Sequence, residues 1–234
     1  CTFCADGLSS KNRVTRYEHD RTKDELIYIA KRVDNIEELI VTDLNFGMYK
    51  HDLETAKMIA EVQEKYNFPK MIDTPAGKNM PDRTIEVAKT MKGWMMGGAM
   101  QSADPEVLRA IKRSNISIEA YKKLIDFGNK RGRSYSETIL GLPKDTKEKH
   151  FATLRFNVNS NVNALHMHSA MLLSGTEMAS GESRKEHGLI TKFRTLPGNV
   201  GKYQIMGKEY PVAEVEEIIV GSNSMPHEDY VECR

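Results

Sequence analysis

The sequence predicts an α/β fold of parallel strands joined by helical crossovers, and three observations carry that prediction. Short apolar runs, several of them β-branched, alternate with longer segments of helical period up to about residue 178. Capping residues or prolines stand where several of the helical segments begin. The apolar runs stop at clusters of Gly, Asp, Asn, Ser or Pro, as strands do where they enter loops. That order implies right-handed crossovers and closes either as a barrel or as an open doubly wound sheet. In both architectures chemistry collects at the carboxyl ends of the strands.

The elements follow in order. Asp20 to Val33 places Leu26, Ile29, Ala30 and Val33 on one stripe and predicts an amphipathic helix. Leu39-Ile40-Val41 is a buried strand by its length and branching, and it stops at Asp43-Leu44-Asn45-Phe46-Gly47. Asp52 caps a helix running to about Tyr66, and Lys70-Met71-Ile72-Asp73 is the next strand. A helix follows over Met80 to Thr90, started near Pro81 and stopped at Gly93, and then a strand of small residues over Trp94 to Met100. Asp104-Pro105 starts a further helix as cap and first-turn proline. Ser117 caps another, with Tyr121, Leu124, Ile125 and Gly128 on its apolar face and Gly132 at its end. Tyr135 to Leu142 is a strand, Asp145 or Thr146 caps the next helix, and Leu165 to Leu173 is the last strand of the series. Beyond Thr176 the rhythm fades. Tyr203 to Tyr210 reads as a hairpin, and Val212 to Val220 fits helix or strand.

With 234 residues, 39% apolar and 29% charged, the chain can bury a full core. Lys plus Arg total 34 against 33 for Asp plus Glu, so the net charge of +1 gives no sign of a nucleic-acid or anionic-membrane surface. No apolar run is long enough to span a bilayer, and three cysteines make no disulfide framework, which together point to a reducing cytoplasm. The charge-rich stretch Lys11 to Lys31 reads as a solvated helix face.

Cys1-Thr2-Phe3-Cys4-Ala5-Asp6-Gly7 is the motif with most chemical content. A C-x-x-C pair serves as half of a zinc site, as a redox dithiol or as part of an iron–sulfur site. A dithiol needs a strand before and a helix directly after. Zinc needs a second ligand pair, for which only the scattered His166, His168, His187, His227 and Cys233 are present. His166 and His168 share one strand face by period two, where they suit substrate binding, proton transfer or a simple polar wall. Met95, Met96, Met100, Met167, Met171 and Met178 suit core packing or an adaptable lining.

Four segments in this order resemble the radical S-adenosylmethionine (radical SAM) superfamily: Cys1 to Gly7; Asp43 to Gly47; Gln101-Ser102-Ala103-Asp104-Pro105-Glu106-Val107-Leu108 leading to Arg113; and Glu137 to Thr146. Leu173-Ser174-Gly175-Thr176 is a weaker match. The resemblance runs from Cys1 to about Met178. It implies a partial (β/α) TIM-like barrel over residues 1–178, lacking the first strand, and a C-terminal extension over 179–234. The family signature is C-x-x-x-C-x-x-C, of which Cys1 and Cys4 match the second and third cysteines; the first is expected four residues ahead of Cys1.

The resemblance implies a [4Fe-4S] cluster ligated by Cys1 and Cys4, with one iron open to S-adenosylmethionine and reductive cleavage to a 5'-deoxyadenosyl radical. Phe3 is then expected beside the cluster or the adenine, and Asp43 or Asn45 near the amino group, although the segment departs from the family's common Gly-Gly-Glu. A strand-terminal turn is the other use of Asp43 and Asn45. Gln101 and Ser102 are expected at the ribose hydroxyls or the methionyl end. Arg113 is expected at the carboxylate, with a helix C-terminal cation as its other use. Ile139, Leu140 and Leu142 are expected on the adenine side. The cysteine loop and Asp-x-Asn-Phe-Gly look most like the branch carrying a cobalamin-binding domain ahead of the barrel, which implies methyl transfer or a radical rearrangement. Methylthiolation, and a zinc-binding or non-catalytic α/β barrel, are the alternatives. The expected partners are a small-molecule substrate and an electron donor such as flavodoxin or ferredoxin, and the piece in hand is expected to retain a cluster poorly by itself.

Overall fold

The computed structural model describes residues 1–8, 10–11, 14–77 and 79–234, and the expected alternation is present in it. After a short 3-10 turn at Ala5–Gly7 come α1 (His19–Ala30), β1 (Glu38–Ile40), α2 (Asp52–Tyr66), β2 (Met71–Asp73), α3 (Pro81–Thr90), β3 (Met96–Gln101), α4 (Pro105–Ala110), α5 (Ile118–Lys130), β4 (Ser134–Leu140), α6 (Lys147–Asn159) and β5 (Ala164–Ser169). The strands lie in chain order. β1 pairs in parallel with β2, β3, β4 and β5 form a parallel sheet, and a parallel bridge from Ile72 to Trp94 joins the two pieces. The result is a curved wall, a partial (β/α) barrel that does not close on itself among the described residues.

Burial shows which side of the wall the helices cover. Ile72 and Met96 are buried with Ile59 and Val62 of α2, Val87 of α3 and Leu124 of α5, whereas Met71 and Asp73, one residue to either side of Ile72, are exposed. Along β4 the pattern alternates strictly, with Ser134, Ser136, Thr138 and Leu140 buried and Tyr135, Glu137 and Ile139 half-exposed on the inner face. Most of the predicted caps do the work expected of them. Asp104 accepts from the Glu106 and Val107 amides, Ser117 from Ala120 and Thr146 from Lys149. Asp52 differs: it is the first helical residue of α2, and its carboxylate accepts from the Gly47 and Tyr49 amides of the preceding loop.

The C-terminal part was the least legible. It holds α7 (Gly181–His187), a long antiparallel hairpin of β6 (Ile190–Ile205) and β7 (Lys208–Gly221), and α8 (His227–Cys233). Val212 to Val220 is thus strand. The hairpin base continues the wall, because Leu172 donates to Glu217 and Ile219 donates to Ala170, both at 2.9 Å. Ile219 is buried in one cluster with Val107, Leu142, Leu172 and Met178, so residues on both sides of position 178 share a core. Met96, Met100 and Met178 are core residues, while Met95 and Met167 reach the surface. No helix among the described residues is long and apolar enough to cross a membrane.

Candidate functional site

The cysteine loop is fixed by the backbone of Thr2, one of the two residues between its thiols. The Thr2 amide donates to the carbonyl of Ile111, just past α4, at 3.0 Å, and the Thr2 carbonyl accepts from the Met178 amide at 2.9 Å. Phe3 anchors the loop from below, half-buried against the cluster of Val107, Leu142 and Met178. Cys1 is exposed and Cys4 half-buried, both as free thiols. The Cys4 thiol points to the Asp6 carboxylate at 3.7 Å. Among the described residues no three His, Cys, Asp or Glu side chains converge on one point, so the loop contributes two sulfur donors.

Arg113 meets this loop from the other side. It lies beyond the end of α4, in the loop toward α5, and not within the helix as its spacing from Asp104 suggested. Its guanidinium is spread over three partners: Nε donates to Asn115 Oδ1 at 3.0 Å, Nη2 donates to the Ala99 carbonyl, and Nη1 lies 3.9 Å from Cys1 Sγ. Asn115 in turn donates to the Met100 and Ser102 carbonyls at 2.9 and 2.8 Å, so it holds both the arginine and the end of β3. Burial lowers the Arg113 pKa, and the negative charge available at Glu137 and Cys4 opposes that shift. A planar fork with a side facing the thiols can take a carboxylate.

The end of β3 is irregular. The ladder slips between Ala99 and Gln101, and Gln101 adopts a φ of 57°. Its side chain is buried and Oε1 has no hydrogen-bond donor among the described residues, so it calls for one from a ligand or water. Ser102, also buried, accepts the Asp104 amide at 3.2 Å and so serves the start of α4. In the loop after β1, Asp43 Oδ1 accepts the Asn45 amide at 2.8 Å, the turn that Asp in this position favours. Gly47 follows at φ 88° with Thr84 packed close behind it, a conformation that suits glycine. Asp43 and Asn45 line a cavity of about 550 Å³ together with Asp6 of the cysteine loop.

Of the residues expected on the adenine side, Ile139 is half-exposed on the inner face and packs against the cluster that buries Leu142. Leu140 is buried with Ile218 and Tyr230, and Leu142 with Val107 and Met178. The period of the strand explains this, since Leu140 is one position out of phase with Ile139, and the chain turns at Gly141. His166 and His168 do share the inner face. His166 stacks on Tyr135 with ring centroids 6.1 Å apart, and His168 Nε2 lies 3.9 Å from Glu137 Oε1. Tyr135 and Glu137 were not singled out by sequence reasoning, although the alternation of β4 was the signal that would have placed them beside Ile139. Cys233 is buried on α8, where burial raises its thiol pKa.

Comparison with known proteins gives one family and several relatives. The Radical SAM superfamily matches residues 1–156. The cobalamin-dependent radical SAM methyltransferase TokK of Streptomyces tokunonensis is 30% identical over 242 residues, covering 99% of this chain and 34% of that protein. The 2-(S-pantetheinyl)-carbapenam-3-carboxylate methyltransferase of Streptantibioticus cattleyicolor is 29% identical over 243 residues, covering 100% and 34%. The chain thus spans about a third of the length of the curated relatives it matches. In fold it is similar to the radical S-adenosylmethionine methyltransferase TsrM from Kitasatospora setae, solved with cobalamin and a [4Fe-4S] cluster. The TM-score is 0.62 at 16% identity, over 86% of this chain and 37% of that one. It is also similar to methylornithine synthase (PylB), with a TM-score of 0.55 at 15% identity, over 76% and 51%.

Proposed function

This chain belongs to the radical SAM superfamily, and on that premise we propose that it forms the S-adenosylmethionine-cleaving core of a cobalamin-dependent methyltransferase. The observation that carries the reading is the meeting of Arg113 with the cysteine loop, Nη1 standing 3.9 Å from Cys1 Sγ. Two free thiols at the carboxyl end of a parallel wall, with a buried guanidinium beside them, fit an iron–sulfur cluster with a carboxylate-bearing ligand next to it. A [4Fe-4S] cluster held there by Cys1 and Cys4 would supply the electron for reductive cleavage of S-adenosylmethionine.

The residues of this chain hold and orient the reactants. Cys1 and Cys4 would ligate iron as thiolates, matching two of the three cysteines of the family pattern. Arg113 pairs with the methionyl carboxylate. Gln101 Oε1, which has no donor among the described residues, accepts from a ribose hydroxyl, and Ile139 lies against the adenine. Asp43 spends its carboxylate on the turn, which leaves Asn45 and the loop backbone to meet the amino group. Phe3 and Ser102 act as positioning residues, the first beneath the cysteine loop and the second at the start of α4. The methyl-transfer part of the reading is supported by the names of the two curated relatives, cobalamin as carrier by the name of TokK, and both belong to the whole enzyme. A small-molecule substrate and an electron donor of the flavodoxin or ferredoxin class complete it.

The test is anaerobic reconstitution of the full-length protein with iron and sulfide, followed by reduction in the presence of S-adenosylmethionine. A brown protein that releases 5'-deoxyadenosine, and a Cys4→Ala variant that does neither, are the expected results. A colourless protein holding stoichiometric zinc would reject the reading.

A further inference from the structure

No ligand contact is assigned to Asn115, yet it touches the supports of two residues that have one. It lies in the loop between α4 and α5, two residues past Arg113. Its amide oxygen accepts from Arg113 Nε at 3.0 Å, and its amide nitrogen donates to the Met100 and Ser102 carbonyls at 2.9 and 2.8 Å. This is the one orientation of the amide that sets donor against acceptor at all three contacts. The next residue, Ile116, packs against the buried Met100, Tyr121 and Ile125, so the loop keeps its place through apolar contacts of its own.

The two carbonyls flank Gln101. Between them the Ser102 amide turns back onto the Met100 carbonyl at 2.6 Å, around Gln101 at φ 57°. A three-residue turn of that hand is rare and strained, and such backbone persists only where its surroundings over-determine it. Asn115 supplies two of the bonds that do so. Relaxing Gln101 to the extended region would swing its Cα–Cβ bond, and with it the Oε1 atom, to another direction. Arg113 is fixed at its backbone by donation to the Leu108 carbonyl at 2.9 Å, but the plane of its guanidinium is set by Asn115 and the Ala99 carbonyl.

We propose that Asn115 is a positioning residue: with one amide it locks the turn that aims Gln101 and orients the guanidinium of Arg113, so that the ribose and carboxylate seats move as a unit. The proposal rests on the radical SAM reading and adds to it a residue that touches neither cluster nor S-adenosylmethionine.

The test compares the full-length reconstituted parent with Asn115→Ala and Asn115→Asp by equilibrium dialysis without reductant. The ligands are S-adenosylmethionine, methionine and 5'-deoxyadenosine, the last two carrying the carboxylate end and the ribose end separately. Asn115→Ala is expected to weaken S-adenosylmethionine about tenfold at unchanged cluster iron. Adding Gln101→Ala to it is expected to cost no more than about twofold further, because the two residues act through one contact. Asn115→Asp keeps an acceptor for Arg113 but cannot donate, so it is expected to weaken 5'-deoxyadenosine about tenfold and methionine no more than about threefold. A thermal melt checks folding, and the isosteric Asn115→Asp carries the test if Asn115→Ala does not fold. Additive effects of Asn115→Ala and Gln101→Ala, equal weakening of both half-ligands by Asn115→Asp, or unchanged affinities would overturn the proposal. A parent that neither binds S-adenosylmethionine nor releases 5'-deoxyadenosine on reduction would instead sink the family-level reading.

Discussion

Arg113 is held by three different partners, and that geometry sets what its replacement does. A lysine keeps the charge but offers no planar fork, so it cannot bond Asn115, the Ala99 carbonyl and a carboxylate together. Arg113→Lys in the full-length enzyme is therefore expected to weaken S-adenosylmethionine binding by roughly tenfold or more, with little loss of cluster iron; equilibrium dialysis and iron analysis read the two effects apart. Glu217 provides a residue-scale test of stability. Arg184 grips both its oxygens at 2.6 Å and Thr191 donates to it at 2.6 Å, which lowers its pKa from 4.5 to about 2. A carboxylate lowered on folding stabilises the protein above its unfolded value and loses that contribution as pH falls through the folded one. The Glu217 contribution is thus complete above about pH 4.5 and fades toward pH 2. Glu217→Gln is expected to flatten this part of the acid-stability curve, as urea melts at stepped pH would show.

Elements translate such contacts into position. α4 has only six residues and depends on its cap, and the Ile111 carbonyl just after it holds the cysteine loop. Asp104→Ala should cost about 1 kcal/mol and lower cluster retention, which denaturant melts and iron content would measure. Gly97→Ala places a methyl against the Tyr135 carbonyl and ring, 2.4 to 2.6 Å away, and should cost about 2 kcal/mol by forcing β3 and β4 apart. Legibility from sequence followed the same physics. Asp104, Ser117 and Thr146 announced their helices because a cap is a local signal. α7 and α8 have seven residues each, too few for a helical period to emerge, and they went unseen. Cys1, Cys4, Asn45, Gln101 and Arg113 were legible as candidates because they fall in an ordered set of motifs. The position of Arg113 outside α4 was not, because the end of so short a helix depends on tertiary contacts.

At the scale of the molecule, the tip of the hairpin stands clear of the core. Its base shares a core with α4 and α8, but Tyr203, Ile205 and Met206 near its tip are exposed, Met206 at 99%. Replacing residues 202–211 by a two-residue turn between Gly201 and Val212, which face each other across the ladder, should leave the melting temperature within about 3 °C; a calorimetric scan checks it. The Thr2 tether carries a different consequence. Both of its partners, Ile111 and Met178, come far later in the chain than the sulfurs they bring into place. A nascent polypeptide cannot present the two sulfurs in this geometry until ribosomal synthesis has passed Met178, so metallation is expected to follow synthesis of that stretch and not to nucleate folding at the amino-terminal end.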